Sequence, residues 1–113
     1  MTVSEADTAI AFRSGEVEVL ATPRLVALLE EATVDALAGH LDDEQTTVGM
    51  RVQIDHLAPT GVGAAVRADA TLEAVEGRRL TFRTGANEGE TPVAAATITR
   101  VIVDMSRFLE RVH

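Results

Sequence analysis

The sequence predicts an α+β fold in which one long helix lies against an antiparallel sheet. Three observations carry this reading. Residues 23–38 are rich in Leu, Ala and Glu at helical spacing, opened by Pro23 and closed by Gly39. From residue 46 to residue 103 the apolar positions recur at every second residue instead. Short turn signals, above all Glu76-Gly77-Arg78, separate those alternating runs.

Residues 1–9 are polar and small, and are expected to form a loose, flexible N-terminal tail ahead of a single domain over 10–113. Residues 10–20, IAFRSGEVEVL, read as a β segment interrupted at Ser14-Gly15, with Glu16, Val17, Glu18 and Val19 alternating. Thr22 is an N-cap residue type and Pro23 suits the first helical position, so a helix is expected over 23–38. Gly39 supplies the backbone freedom that ends it. After an acidic turn at 41–45, residues 46–57 place Val48, Met50, Val52 and Ile54 on one face of a strand. Residues 64–75 place Val66, Ala68, Ala70, Leu72 and Ala74 on one face, with Arg67, Asp69, Thr71 and Glu73 opposite. A third strand carries Leu80 and Phe82 to about Ala86, residues 87–92 turn, and a fourth runs from Val93 to Val103. The tail DMSRFLERV suits a short helical turn with Phe108 and Leu109 packed down. Ala dominates the expected core, which is therefore thin, and a second copy of the chain would bury what remains.

The length of 113 residues is one domain's worth, and 46% apolar content is ample for a core. Eighteen acidic against ten basic residues give a net charge of −8, which argues against nucleic-acid binding. No apolar run approaches the ~20 residues that span a bilayer, and the first twelve residues hold acids but no base, so no membrane association and a cytoplasmic location are expected. There is no Cys, so a disulfide framework, a thiolate metal site and a cysteine nucleophile are excluded. All ten basic residues are Arg, which excludes Schiff-base chemistry and a lysine phosphate loop. None of the three Ser sits in a Gly-x-Ser-x-Gly elbow. His40 and His56 lack metal-ligand spacing, so neither a metal nor another cofactor is expected. An enzyme built from this composition must use His, carboxylates, Thr and Arg.

Five positions, four of them of these residue types and one a glycine, carry a functional reading beside the structural one. On the helix, Leu25, Leu28, Leu29, Ala32 and Ala36 form an apolar stripe, while Arg24, Glu31 and Asp35 form a polar one. Glu30 joins neither and lies beside Val26, Thr33, Val34 and Leu37. It is either a solvated rim residue or a carboxylate in an apolar setting suited to acid–base work. His56 shares parity with Val48, Met50, Val52 and Ile54, so it faces inward at a strand end. There it serves as a hydrogen-bonded structural residue or as a base. Thr22, besides capping, stands where helix N–H groups face a developing anion. Gly49 within a strand marks a bulge or a close approach by another group. Arg100, between Ile98 and Ile102, needs a carboxylate or an anionic ligand.

Taken in order, Ala21-Thr22, Glu30, Gly49, His56 with LAPTGVG after it, VEGRRL at 75–80, Thr99-Arg100 and the closing IVDMSRFLERV resemble the hotdog-fold acyl-CoA thioesterases of the fluoroacetyl-CoA thioesterase type. The resemblance runs from about residue 10 to 111. It implies a homodimer in which each sheet wraps a long helix, with the active site near the subunit interface. It implies that Thr22, Glu30 and His56 form the catalytic group and that the Gly49 amide and Arg100 contact the acyl thioester. The substrate implied is an acyl-CoA or acyl-carrier thioester, cleaved to free acid and thiol. CoA is polyanionic, so local Arg must hold it on an acidic protein, with Arg78 and Arg79 as candidates for its phosphates. The competing reading of those two is that they solubilise a hairpin. Two features depart from the family. Arg13 and Glu16 stand where the fluoroacetate-specific enzyme has a phenylalanine pair, and Ala-Thr-Ile-Thr-Arg replaces Gly-x-His-Glu-Arg before the arginine. The alternative function is a non-catalytic hotdog module that binds an acyl thioester or a small acid.

Overall fold

A computed structural model describes residues 1–112. The elements are a 3-10 turn at Glu5–Asp7, helix α1 at Thr22–Ala36, and strands β1 at Gln45–His56, β2 at Arg67–Glu76, β3 at Arg79–Glu88 and β4 at Thr91–Asp104. Helix α2 at Met105–Leu109 follows. The four strands form one antiparallel sheet in the order β1-β4-β3-β2. Strand β1 is thus an edge strand of 12 residues, paired on one side only. No described helix is long and apolar enough to cross a membrane.

Helix α1 lies on one face of the sheet. Leu25, Leu28 and Leu29 are one stripe at i, i+3 and i+4, and all three are buried against Ala94, Ala96 and Ile98 of β4, Ala86 of β3, and Val66. A second cluster joins Leu37, just past the helix, to Leu80 and Phe82 of β3. The helix ends at Ala36, two residues sooner than expected, with Leu37 as its C-cap, and Gly39 at φ +79° turns the chain beyond that end.

The N-terminal segment differs from the expected loose tail. Val3 is 1% exposed, Thr2 bridges Ala65, and the backbone of Val3 accepts from Gly63 and donates to Ala64. Two apolar residues, Met1 and Val3, suffice to seat the segment in the core beside Val66. Residues 10–20 do not form a strand. They make turns stabilised by Phe12 N–H to Thr8 O and Ser14 N–H to Ala9 O, with Arg13 at φ +58° and isolated bridges Thr8–Leu20 and Val19–Gly61. Alternation here lacks a partner strand, and Ile10, Phe12 and Val17 remain exposed.

Strand β1 corrects the expected face assignment. Gly49 pairs with Arg100 but Arg51 pairs with Thr99, so Met50 is an inserted bulge residue. Residues opposite one another share a face. Thr47 and Gly49 therefore look towards the helix with Ile102 and Arg100, and Val48 looks away with Val101. Beyond the bulge Val52, Ile54 and His56 face inward as expected, opposite Ile98, Ala96 and Ala94. A second bulge at Glu73 removes Ala74 from the common face of β2. The turn between β3 and β4 is only Gly89-Glu90, shorter than the expected 87–92. Phe108 and Leu109 are 36% and 64% exposed, so the expected packing of the five-residue α2 onto the core does not occur.

Candidate active site

The five residues singled out in the sequence fall into two groups. The first is Thr22 with His56. Ala21, not Thr22, is the N-cap of α1. Thr22 is the first helical residue, and no side chain caps the helix. Its hydroxyl is therefore free for another partner, and Thr22 Oγ1 lies 2.8 Å from His56 Nδ1. His56 reaches this point because it ends β1 on the inward face. When the hydroxyl donates, Nδ1 is the acceptor and the ring proton sits on Nε2. That Nε2 is buried with no hydrogen-bond partner, as is Thr60 Oγ1. The helix end that carries Thr22 is tied down by the N-terminal segment. Ala21 N–H donates to Asp7 O at 2.9 Å, and Arg24 Nε meets Asp7 Oδ1 at 3.0 Å. The Ser4 amide, at 2.8 Å, is the main cause that holds the Asp7 carboxyl below the usual carboxylate range, with the Ser4 hydroxyl and Arg24 adding to it against partial burial.

The second group is Glu30, Gly49, Arg100 and Thr47. Arg100 Nη1 donates to Glu30 Oε2 at 3.1 Å, Nε to Thr47 Oγ1 at 2.8 Å and Nη2 to the Thr47 carbonyl at 3.0 Å. The Arg100 side chain is 8% exposed and that of Glu30 36%. Arg100 thus finds the carboxylate that its buried position demanded, with three of its five N–H groups engaged. Glu30 differs from the expected apolar setting: one oxygen is paired with Arg100, and the partly exposed carboxyl borders an open groove. Ala27, Glu31 and Val34 line that groove, which measures about 580 Å³. A Cβ at Gly49 would lie 2.6 Å from Glu30 Oε2, so a glycine there admits the carboxylate to the strand backbone.

The two groups are separated within the chain. Eight residues of helix between Thr22 and Glu30 amount to ~12 Å of rise. Seven residues of strand from Gly49 to His56 amount to ~20 Å. Thr22, Glu30 and His56 therefore do not meet as one triad in a single copy. Arg78 and Arg79 join neither group. Arg78 sits in the β2–β3 turn, bonded to Ile102 O at 3.4 Å and Asp104 Oδ2 at 3.5 Å, and Arg79 opposes Val101 on the face away from the helix. Thr47 is the member that the sequence did not single out. Its only signal is the bulge, which shifts it to the inward face. Among the described residues no group of three His, Asp or Glu is placed to hold a metal ion.

Residues 3–106 match the family model described as fluoroacetyl-CoA-specific thioesterase. The fluoroacetyl-CoA thioesterase of Streptantibioticus cattleyicolor is 35% identical over 96 residues, which are 85% of this chain and 69% of that protein. The structure superposes on a mutant fluoroacetyl-CoA-specific thioesterase in complex with fluoroacetate and CoA with a TM-score of 0.87 at 30% identity, covering 96% of this chain and 91% of that one. A hot-dog-like protein from Thermanaerovibrio acidaminovorans gives a TM-score of 0.91 at 29% identity, over 99% of this chain and 83% of its own. The helix-wrapping sheet described above is accordingly the hotdog fold.

Proposed function

The chain belongs to the fluoroacetyl-CoA-specific thioesterase family, and from that premise we propose that Thr22, His56 and Glu30 carry out its thioester hydrolysis on a small acyl-CoA. The observation that carries the assignment is the 2.8 Å contact between the Thr22 hydroxyl and His56 Nδ1. A module that only binds an acyl thioester has no use for a hydroxyl aimed at an imidazole. Hydrolysis does, because it needs an oxygen nucleophile and a group to take its proton.

The thioester carbonyl is attacked by Thr22 Oγ1 or by a water bound beside it. In either route the proton passes to His56 Nδ1, and imidazole is the side chain suited to that transfer near neutral pH. The tetrahedral oxyanion is met by backbone N–H groups at the α1 N-terminus and by the amide of the partner subunit's Gly49. Collapse breaks the C–S bond. The thiolate leaves as a good leaving group, takes the proton from His56, and departs as free CoA thiol. An acyl-Thr22 ester, where formed, is released as the free acid by water through the same base. No cofactor enters this scheme.

A homodimer unites the two groups. The unpaired edge of β1 is a ready template for a second copy, and Met50 and Val34 nearby are 49% and 50% exposed. Antiparallel pairing of two β1 edges about an axis near Val52–Gln53 sets Gly49 opposite His56 of the partner subunit. Glu30 of the partner subunit is then brought to the same cleft as the Thr22–His56 pair, where its carboxylate can act on the substrate or on the attacking water. Arg13 and Glu16, both exposed in the turn-rich segment before α1, give no aromatic cover for a fluoromethyl group, which favours other small acyl groups.

The test is release of thiol from a panel of short, aromatic and halogenated acyl-CoAs and an acyl-carrier thioester, read with a thiol-reactive dye. The chain has no Cys to react with the dye. Hydrolysis by the wild type that falls by orders of magnitude in His56→Ala is expected. Full activity in that variant would remove His56 from the mechanism, and silence across the panel would point to the binding module.

A further inference from the structure

We propose that Thr47 is a positioning residue for this reaction: it fixes the Arg100 guanidinium and, through it, the carboxylate of Glu30. The inference rests on the thioesterase reading above and concerns a residue outside its catalytic set. Thr47 presents two acceptors to Arg100 at once, its hydroxyl to Nε at 2.8 Å and its carbonyl to Nη2 at 3.0 Å. The remaining corner of the planar fork, Nη1, is the one that donates to Glu30 Oε2 at 3.1 Å. Because the guanidinium is rigid, holding two of its nitrogens sets the direction of the third. Nothing else among the described residues hydrogen-bonds the Glu30 carboxylate, so its aim depends on that corner.

Thr47 can do this only because Met50 bulges out of β1. The extra residue rotates Thr47 onto the face shared with Gly49 and Arg100, whereas an unbroken register would have put Val48 there. Gly49 then leaves the space through which the Glu30 carboxylate reaches the fork. Bulge, hydroxyl and glycine lie within four consecutive residues, 47–50, and act on one carboxylate. The Thr47 carbonyl contact survives any substitution, so the hydroxyl is the separable part of the device.

The experiment compares Thr47→Val, which keeps the side-chain shape and loses the hydroxyl, with Thr47→Ser, which keeps the hydroxyl. Both are also placed in a Glu30→Gln background, and steady-state thioester hydrolysis and thermal unfolding are measured for each. Thr47→Val is expected to lower kcat about tenfold, the size of one hydrogen bond to a charged group, with KM changed less than about twofold. Thr47→Ser is expected to restore kcat. In the Glu30→Gln background Thr47→Val should add less than about twofold, because its target is already gone. A wild-type kcat in Thr47→Val would overturn the inference while leaving the thioesterase reading intact. So would losses that multiply in the double variant, or a Thr47→Ser as slow as Thr47→Val. Should Thr47→Val fail to fold, Thr47→Ala is read by the same criteria. A wild-type chain inert on every thioester would overturn both readings.

Discussion

Glu30 and Gly49 fit together so closely that a methyl group at residue 49 would come within 2.6 Å of Glu30 Oε2. Besides the apolar packing of Val52 and Ile54 on the core that holds the α1 leucines, the helix and the edge strand therefore meet at a carboxylate. Arg100 holds the same oxygen from the next strand at 3.1 Å. A small residue and a large buried cation thus define where one charged oxygen sits.

Replacing Gly49 with Ala tests this fit. The added methyl presses on the end of a side chain, not on backbone, so the fold survives by moving Glu30 off Arg100. Gly49→Ala is expected to unfold within a few degrees of the wild type and to lose about tenfold or more in kcat. Thermal melting and steady-state rates on the same preparation check it. Unchanged turnover would mean that the position of Glu30 does not matter to the chemistry.

Thr22 separates two roles that share one position in the sequence. An N-cap threonine replaced by Ala costs about 1 kcal/mol, worth roughly 4–8 °C in a domain of this size. Here Ala21 is the cap and the hydroxyl faces His56. Thr22→Ala is therefore expected to keep its melting temperature within about 2 °C while turnover falls by more than about tenfold. A drop in melting temperature with turnover retained would restore the capping role.

Asp7 gives the chain a defined acid response. Its carboxyl is held below the ordinary range, chiefly by the Ser4 amide, so the folded state binds its proton more weakly than the unfolded chain does. The resulting stabilisation is complete above the unfolded carboxylate pKa and disappears as pH falls through the lowered folded value. Asp7→Asn is expected to be less stable than the wild type at pH 7. The two stabilities should converge as pH falls from the unfolded carboxylate value, about 4, through the lowered folded one. Denaturant unfolding across that range checks it. A constant difference at all pH values would show that the Asp7 charge contributes nothing.

The helix and its contact stripe were legible because Leu25, Leu28 and Leu29 keep strict spacing and nothing interrupts them. His56 was legible because it lies beyond the Met50 bulge, where strand parity again matches the face. Thr47 was hidden by that same bulge. Val48, Met50, Val52 and Ile54 look like one unbroken alternating face, since an inserted residue that is itself apolar leaves the period intact while it reverses the strand before it. Glu30 was recognisable as a misfit on its helix, yet the two residues that meet its carboxylate, Gly49 and Arg100, lie 19 and 70 residues away in sequence, a distance that periodicity does not bridge. The seated N-terminus was invisible for a different reason. Its hold on the core comes from Val3 and a few backbone bonds, too little apolar pattern to register as an element.

The central claim is that one active site takes Thr22 and His56 from one copy and Glu30 from the other. Subunit mixing tests it most directly. His56→Ala and Glu30→Gln chains, each left with only residual activity alone, are unfolded together, refolded at equal concentration and assayed for thioester hydrolysis. If the site is shared, each mixed dimer holds one intact site, and the mixture recovers about a quarter of wild-type activity. If all three residues act within one chain, every site in the mixture carries a defect. Activity that stayed at the level of the separate variants would contradict the account.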